Sequence, residues 1–150
     1  MRAVIQKTEK ASLIIDNEEH ASIGRGLVVL LGIEDADGSD DIDWLAGKIS
    51  RLRVFDDEEG VMNLSVQDVE GELMVISQFT LHASTKKGNR PSYIRAAKPE
   101  KAIPLYDKFI DKIRKESGCK TVSGIFGAYM KIALVNDGPV TISIDTKAKE

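Results

Sequence analysis

A threonine and a histidine two residues apart are the first candidates for chemistry in this chain of 150 residues. An apolar run over residues 73–76 passes abruptly into the polar segment Ser77-Gln78-Phe79-Thr80-Leu81, which His82 follows. If this segment ends a strand, Thr80 and His82 share a face and could act as nucleophile and base. The alternative is a half-exposed strand end, where threonine is present because it favours strands.

The second candidate is the segment Asn136-Asp137-Gly138-Pro139-Val140-Thr141, whose chemistry would come from its backbone. Its first four residues all favour turns, so one interpretation is a tight turn between two strands. In the other interpretation, Gly138 lets another chain or a ligand approach closely, and Pro139 makes the loop rigid. A cis bond between them would point consecutive carbonyl groups the same way, as a stiff polar wedge.

A basic segment is the third candidate. Residues 85–101 contain six basic side chains and one acidic side chain, Glu100, although the whole chain has a net charge of −3. The six basic residues are Lys86, Lys87, Arg90, Arg95, Lys98 and Lys101. The segment is either a solvated charged loop or a set of contacts to phosphate groups.

The elements that must position these candidates can be predicted from the spacing of apolar residues. Short runs rich in β-branched residues predict strands, over residues 3–6, 12–15, 20–23, 27–33 and 73–76 and between residues 119 and 144. A polar connection at residues 8–10 separates the first two strands, and Gly24-Arg25-Gly26 is predicted to be a hairpin turn. Helical spacing predicts one helix from Ser39 and a second over Pro99–Ser117.

The order of these elements predicts the fold class. Strands, helix, strand, helix and strands do not alternate regularly, as a parallel α/β fold requires. We therefore expect one α+β domain over residues 1–150, with an antiparallel or mixed, barrel-like sheet and two main helices packed outside it. A chain of this length buries enough surface for a single core.

Composition excludes several classes of protein. The longest unbroken apolar stretch covers residues 27–31, far short of the ~20 residues that span a bilayer, so no membrane partner is expected. No apolar run near Met1 resembles a signal peptide. With one cysteine and two histidines, neither a disulfide, a metal site nor a cofactor is predicted. Cys119 is expected to be inert, and the location to be cytoplasmic.

The two candidate segments together carry a resemblance to a known family. Ser77-Gln78-Phe79-Thr80-Leu81, followed by Asn136-Asp137-Gly138-Pro139-Val140-Thr141, resembles the motif pair of the D-aminoacyl-tRNA deacylases, also called D-tyrosyl-tRNA(Tyr) deacylases. The resemblance covers nearly the whole chain, with further matching segments at residues 1–6, 62–68, 86–92 and 124–128. Both motifs in this order make the resemblance highly specific.

The resemblance implies a cytoplasmic homodimer that hydrolyses the ester between a D-amino acid, or mischarged glycine, and the terminal adenosine of tRNA. Each active site would lie at the dimer interface. Gly138-Pro139, a cis pair in the family, would come from the partner subunit, hold the substrate α-amino group with its carbonyls and leave no room for an L side chain. Glycine has no Cβ, so this filter cannot exclude it.

The resemblance also assigns residues to roles. Catalysis falls on Ser77, Gln78, Phe79 and Thr80. Substrate binding falls on Asn136, Gly138, Pro139, Thr141, Phe126 and Met130. The tRNA contacts fall on Lys86, Lys87, Arg90 and Arg95. Tyr129 departs from the acidic residue expected at its position.

Two mechanisms are compatible with these residues. Thr80 could be the nucleophile, although the family motif supplies no base for it. We favour the alternative, in which backbone N–H groups stabilise the developing oxyanion and the terminal 2′-hydroxyl of the tRNA positions or activates water.

Two other classes of function compete with the deacylase. A small dimeric barrel that only binds tRNA ends would need the basic segment but not Gly138-Pro139. An unrelated small hydrolase would use Thr80 and His82 on a small ester and show no preference for chirality.

Overall fold

The computed structural model describes all of residues 1–150, which contain eight strands, two α-helices and one short 3-10 helix joined by turns and loops. The strands are β1 (Arg2–Ile15), β2 (Glu18–Ile23), β3 (Gly26–Gly32), β4 (Phe55–Asp56), β5 (Met62–Leu64), β6 (Glu72–Ser77), β7 (Thr121–Ser123) and β8 (Met130–Asp145). The helices are α1 (Ser39–Ser50) and α2 (Pro99–Ser117), and the 3-10 helix is Phe79–His82.

The long first strand organises the main sheet. Strand β8 pairs with β1 in antiparallel orientation from end to end. The other edge of β1 pairs with β3 along its first half and with β2 along its second half, both antiparallel. Strand β3 then pairs with β6, and β6 with β7, in parallel orientation. The result is a six-stranded mixed sheet, with β4 and β5 as a separate small ribbon.

Both faces of this sheet are covered by apolar side chains. One face packs against the two helices in a cluster of 21 buried residues, which includes Leu45 of α1 and Phe109 of α2. The opposite face forms a second cluster of six buried residues, among them Leu13, Val28 and Met74. The unbroken apolar run of β3 reflects this double burial, as is typical of parallel strands.

The predicted fold class is confirmed. The mixed sheet curls into a nearly closed barrel, since Gly124 after β7 faces the sulfur of Met130 at the start of β8. Both helices lie outside it and begin and end close to the predicted residues. Neither helix is long and apolar enough to cross a membrane. The homodimer stays a prediction.

The predicted break after residue 6 is wrong, because β1 is one continuous strand through residues 8–10. The strand continues there because β8 pairs with it. The buried hydroxyl of Thr8 donates a hydrogen bond to the carbonyl of Lys10 at 2.6 Å and also lies 3.0 Å from that of Val135. Sequence shows the polar residues but not the partners that satisfy them.

The predicted hairpin at Gly24-Arg25-Gly26 is also wrong. Strands β2 and β3 both run antiparallel to β1, so they follow one another in the same direction. Gly26 is needed for a different reason: a Cβ there would lie 1.9 Å from the carbonyl oxygen of Glu72 on the neighbouring strand. The glycine therefore permits close approach of two strands.

Candidate active site

The chain turns sharply where β6 ends, and this turn carries the first predicted motif. The N–H of Gln78 donates to the carbonyl of Leu31 at 2.7 Å, which fixes the end of the strand to β3. Phe79–His82 then form one turn of 3-10 helix. The N–H groups of Phe79 and Thr80, at the start of this turn, have no acceptor in the chain. Two backbone donors are therefore free to bind a ligand.

The prediction that Thr80 and His82 share a strand face is wrong. The segment is helical, so the alternation on which the prediction depends does not apply. His82 is completely buried, and neither of its ring nitrogens has a hydrogen-bond partner. The side-chain amide of Gln78 donates a hydrogen bond to the Thr80 hydroxyl oxygen. Thr80 therefore has no base beside it.

A cavity of about 260 Å³ opens beside this turn. Ser77, Gln78 and Phe79 lie on one side of it, and Phe126 and Met130 on another. The structure thus brings these five predicted residues together. Most of the lining is apolar, and Tyr129 lies at the edge with 83% of its surface exposed. Such a cavity suits a small organic group fixed by a few polar contacts.

Phe126 is held in place by a residue that sequence reasoning missed. The ring of Tyr106, on α2, meets Phe126 edge-on, with 6.0 Å between ring centroids. The Tyr106 hydroxyl donates to the carbonyl of Val75 at 2.8 Å. Burial raises the pKa of Tyr106 well above its ordinary value, so the phenol stays neutral. The position of Tyr106 in the helical pattern indicates that it is buried. That pattern does not show that Tyr106 supports the cavity.

The second motif forms a bulge inside β8. Thr141 pairs with Gln6 of β1 and Asn136 pairs with Thr8, so residues 137–140 leave the ladder opposite a single residue, Lys7. The Gly138-Pro139 peptide bond is cis, and both residues are exposed. The alternative of a tight turn between two strands is therefore wrong, since one strand contains the whole segment.

Asn136 clamps the base of this bulge. Its side-chain oxygen accepts a hydrogen bond from the N–H of Val140 at 2.9 Å. Its side-chain nitrogen donates to the hydroxyl of Thr141 at 3.0 Å. Both bonds cross the bulge, so its two ends are fixed to each other.

Lys7, on the strand opposite, supports the bulge through an ion pair with Asp137. Sequence reasoning missed this residue. Its side chain is only 4% exposed, and its Nζ lies 3.4 Å from a carboxylate oxygen of Asp137 and 3.5 Å from one of Asp56. The ammonium group also lies 5.9 Å from the centre of the Phe55 ring. The available signal was position: Lys7 continues the inward-facing series Ala3 and Ile5.

The bulge and the cavity are separate within one chain. Neither Gly138 nor Pro139 lines the cavity. Ile132 is the last residue of β8 at the cavity, and it precedes Asn136 by four strand positions. At ~3.3 Å per residue this is about 13 Å before the bulge begins. One copy of the chain therefore does not bring the two motifs together.

The basic segment begins as a closed loop. Ser84 and Ser92 exchange backbone hydrogen bonds of 2.8 and 3.0 Å, which bring the two ends of the loop together. Lys86, Lys87 and Arg90 lie on this loop, exposed and without an ion-pair partner. Arg95 lies beyond it, with a guanidinium nitrogen 3.4 Å from a carboxylate oxygen of Glu34.

Cys119 is not a candidate nucleophile. Burial raises the pKa of its thiol, and a protonated thiol is a poor nucleophile. The chain contains no group of three or more histidine, cysteine or acidic side chains that could hold a metal ion.

Comparison with known proteins decides the family. The family model described as D-Tyr-tRNA(Tyr) deacylase matches residues 4–145. The chain belongs to this family. The resemblance inferred from the two motifs is thereby confirmed, as is the prediction that the chain is an enzyme of the D-aminoacyl-tRNA deacylase type.

Relatives of the deacylase family match the chain at full length. Proteins named D-aminoacyl-tRNA deacylase from Flavobacterium johnsoniae and Bacteroides thetaiotaomicron are 59% and 57% identical to it, with complete coverage of both chains. A solved structure of a "c-Myc DNA Unwinding Element Binding Protein" is 40% identical, with a TM-score of 0.92, over 99% of this chain and 100% of that one.

A more distant deacylase structure shares the fold. It is described as a probable eukaryotic D-amino acid tRNA deacylase, is 18% identical and has a TM-score of 0.80. The match covers 95% of this chain and 98% of the other. At this identity the likeness shows the fold alone.

Proposed function

We propose that this protein hydrolyses the ester bond of D-aminoacyl-tRNA and of tRNA mischarged with glycine, releasing the amino acid and the tRNA. Family membership and the names of its full-length relatives support the reaction class. The observation that carries the finer proposal is the separation of the two motifs. The cavity beside the turn at Phe79 and Thr80 and the braced Gly138-Pro139 bulge lie apart in one chain; of these two turn residues, only Phe79 lines the cavity.

A homodimer resolves this separation. Each subunit would insert its bulge into the cavity of the other, so that every active site contains Ser77–Thr80 from one chain and Gly138-Pro139 from its partner. Exposure of Asp137, Gly138 and Pro139 supports this arrangement, because it leaves these residues accessible to a second copy of the chain.

Selection for D-amino acids would come from the bulge. Its carbonyl groups would accept hydrogen bonds from the substrate α-amino group and leave no room for a side chain in the L position. Such a filter must be rigid, because a flexible wedge would move away from a misplaced Cβ. The clamp of Asn136 and the ion pair of Lys7 with Asp137 supply that rigidity. Glycine, without a Cβ, would pass.

The chemical step would use the free N–H groups of Phe79 and Thr80. Water attacks the ester carbonyl carbon, and the oxyanion that forms accepts hydrogen bonds from these donors. The bond to the 3′-oxygen of the terminal ribose then breaks, and the proton lost by the water passes to that oxygen. The neighbouring 2′-hydroxyl of the substrate would position the water. The lack of a base beside Thr80 argues against Thr80 as nucleophile, since the one hydrogen-bond partner of its hydroxyl is the side-chain amide of Gln78, a donor.

Thr80→Ala is expected to lower kcat on D-aminoacyl-tRNA by about tenfold or less, since it removes one neutral hydrogen bond of about 1 kcal/mol. The backbone donors remain in place. Single-turnover rates of the folded variant would measure this effect. A loss of about a thousandfold, with activity recovered in Thr80→Ser, would instead make the hydroxyl the nucleophile.

Matched D- and L-aminoacyl-tRNA test the proposed function directly. The purified protein is incubated with each, and the remaining aminoacyl-tRNA is followed over time. We expect cleavage of the D form and no cleavage of the L form above the spontaneous rate. Cleavage of both would favour the small hydrolase, and cleavage of neither would favour a module that only binds nucleic acid.

A further inference from the structure

Two exposed aromatic rings stand at the mouth of the cavity. Phe79 and Tyr93 meet edge to face, with 5.0 Å between ring centroids and 77° between ring planes. They are 55% and 40% exposed, although aromatic rings of this size are usually well buried. Phe79 also lines the cavity. The pair therefore extends the cavity outward as an aromatic rim.

The backbone holds Tyr93 firmly between the basic loop and α2. Tyr93 follows Ser92, which closes that loop with Ser84. Its carbonyl accepts a hydrogen bond from the N–H of Ala96 at 3.0 Å, and the N–H of Ala97 donates to the carbonyl of Ile33 at 2.9 Å. The ring is thus presented on an anchored turn.

Positively charged side chains lie on the basic loop next to this rim. Lys86, Lys87 and Arg90 are exposed and have no ion-pair partner. Free cations next to exposed aromatic rings are the combination with which proteins bind single-stranded nucleic acid: the cations contact phosphates, and the rings stack with bases.

We propose that Phe79 and Tyr93 form a stacking platform for an unpaired base of the tRNA 3′ end, next to the terminal adenosine, in which the Tyr93 ring stacks with the base and the Phe79 ring supports Tyr93 at a right angle, with the basic loop on the adjoining phosphates. This inference rests on the proposed function, which places the terminal adenosine in the cavity. The rim would then meet the single-stranded nucleotides that precede it.

A second copy of the chain is the other partner that an exposed apolar rim could contact. We favour nucleic acid because of charge. Lys86, Lys87 and Arg90 lie exposed and unpaired beside the two rings, and this combination fits the phosphates and bases of a single strand.

The test compares Tyr93→Ala with Tyr93→Phe and with Ile94→Ala, a neighbouring apolar residue that is 90% exposed and has no aromatic partner. Each variant is assayed on D-aminoacyl-tRNA and on D-aminoacyl-adenosine, which lacks the preceding nucleotides. We expect Tyr93→Ala to raise KM for the tRNA about five- to a hundredfold, as one lost stack does. The KM of Tyr93→Ala for D-aminoacyl-adenosine should stay unchanged. The KM values of Tyr93→Phe and Ile94→Ala should stay unchanged for both substrates.

Three results would overturn the proposal. An unchanged KM for the tRNA would remove Tyr93 from the binding surface. Equal losses on both substrates would make it a support of the cavity. A change in oligomeric mass would place it in an interface between copies. Binding of uncharged tRNA by the same variants tests the stacking platform without the reaction. Failure of the platform is therefore distinguishable from failure of the proposed function.

Discussion

Gly138→Ala is expected to lower the deacylation of D-aminoacyl-tRNA by about a hundredfold, because misplacement of a substrate contact by ~1 Å can cost that much. Gly138 has a φ of +136°, a conformation that L residues rarely adopt. A Cβ there would lie 2.7 Å from Cγ2 of Val140 and 3.0 Å from its backbone nitrogen. Both conflicts would shift the bulge whose carbonyls are proposed to hold the α-amino group.

Gly60→Ala is the matched control for this variant. Gly60 has a φ of +76° in a turn, with nothing within 4 Å of the position of an added Cβ. It shares the backbone strain but lies neither in the bulge nor at the cavity. We expect both variants to lose some stability and only Gly138→Ala to lose activity. Wild-type rates and selectivity in a folded Gly138→Ala protein would contradict the role of the bulge.

Helix boundaries could be predicted from sequence because they depend on local signals. The bounds of α2 coincide with the structure, whereas α1 begins one residue early, since its N-cap is Gly38 and the predicted N-cap, Ser39, is its first helical residue. Apolar periodicity and a glycine in left-handed conformation at Gly118 act within a few residues of each other. Strand pairing depends on residues far apart, and there the predictions failed.

The bulge shows why strand pairing was inaccessible. A turn and a bulge both favour Asn, Asp, Gly and Pro, so composition at residues 136–139 cannot distinguish them. The segment is a bulge and not a turn because β1 pairs with β8 on both sides of it. That pairing joins residues more than a hundred positions apart.

The candidate site was found in part from residue types and in part from the resemblance. An apolar strand that passes into Ser77 and Gln78 pointed to the cavity, but residue types left the competing functions open. Phe126 and Met130 entered only through the resemblance. Lys7 was missed by both, because the predicted strand ended at residue 6 and a lysine usually lies at the surface.

Lys7→Met is expected to reduce the preference for D- over L-aminoacyl-tRNA by about tenfold, which corresponds to 1.4 kcal/mol of lost positioning. Methionine fills the buried space but removes the ammonium group between Asp137 and Asp56. Both carboxylates are about half exposed, so water can solvate them once the lysine is gone. The free energy of unfolding should therefore change little, because removing one partner of an ion pair is costly only where the charge left behind is buried.

Lys10→Met and Lys7→Arg make this prediction specific to the support of the bulge. Lys10 lies on the same strand, exposed and without an ion pair, so its replacement removes an equal charge and should leave selectivity unchanged. Arginine at position 7 keeps the charge but is larger than the buried lysine, so we expect it to keep more of the selectivity than methionine and less than the wild type. Rates on D- and L-aminoacyl-tRNA, measured beside thermal unfolding, separate loss of positioning from loss of fold. If Lys7→Met and Lys10→Met behave alike, the rigidity of the wedge comes from Asn136 and the proline ring, and the buried ammonium group serves only the packing of β1 against Phe55.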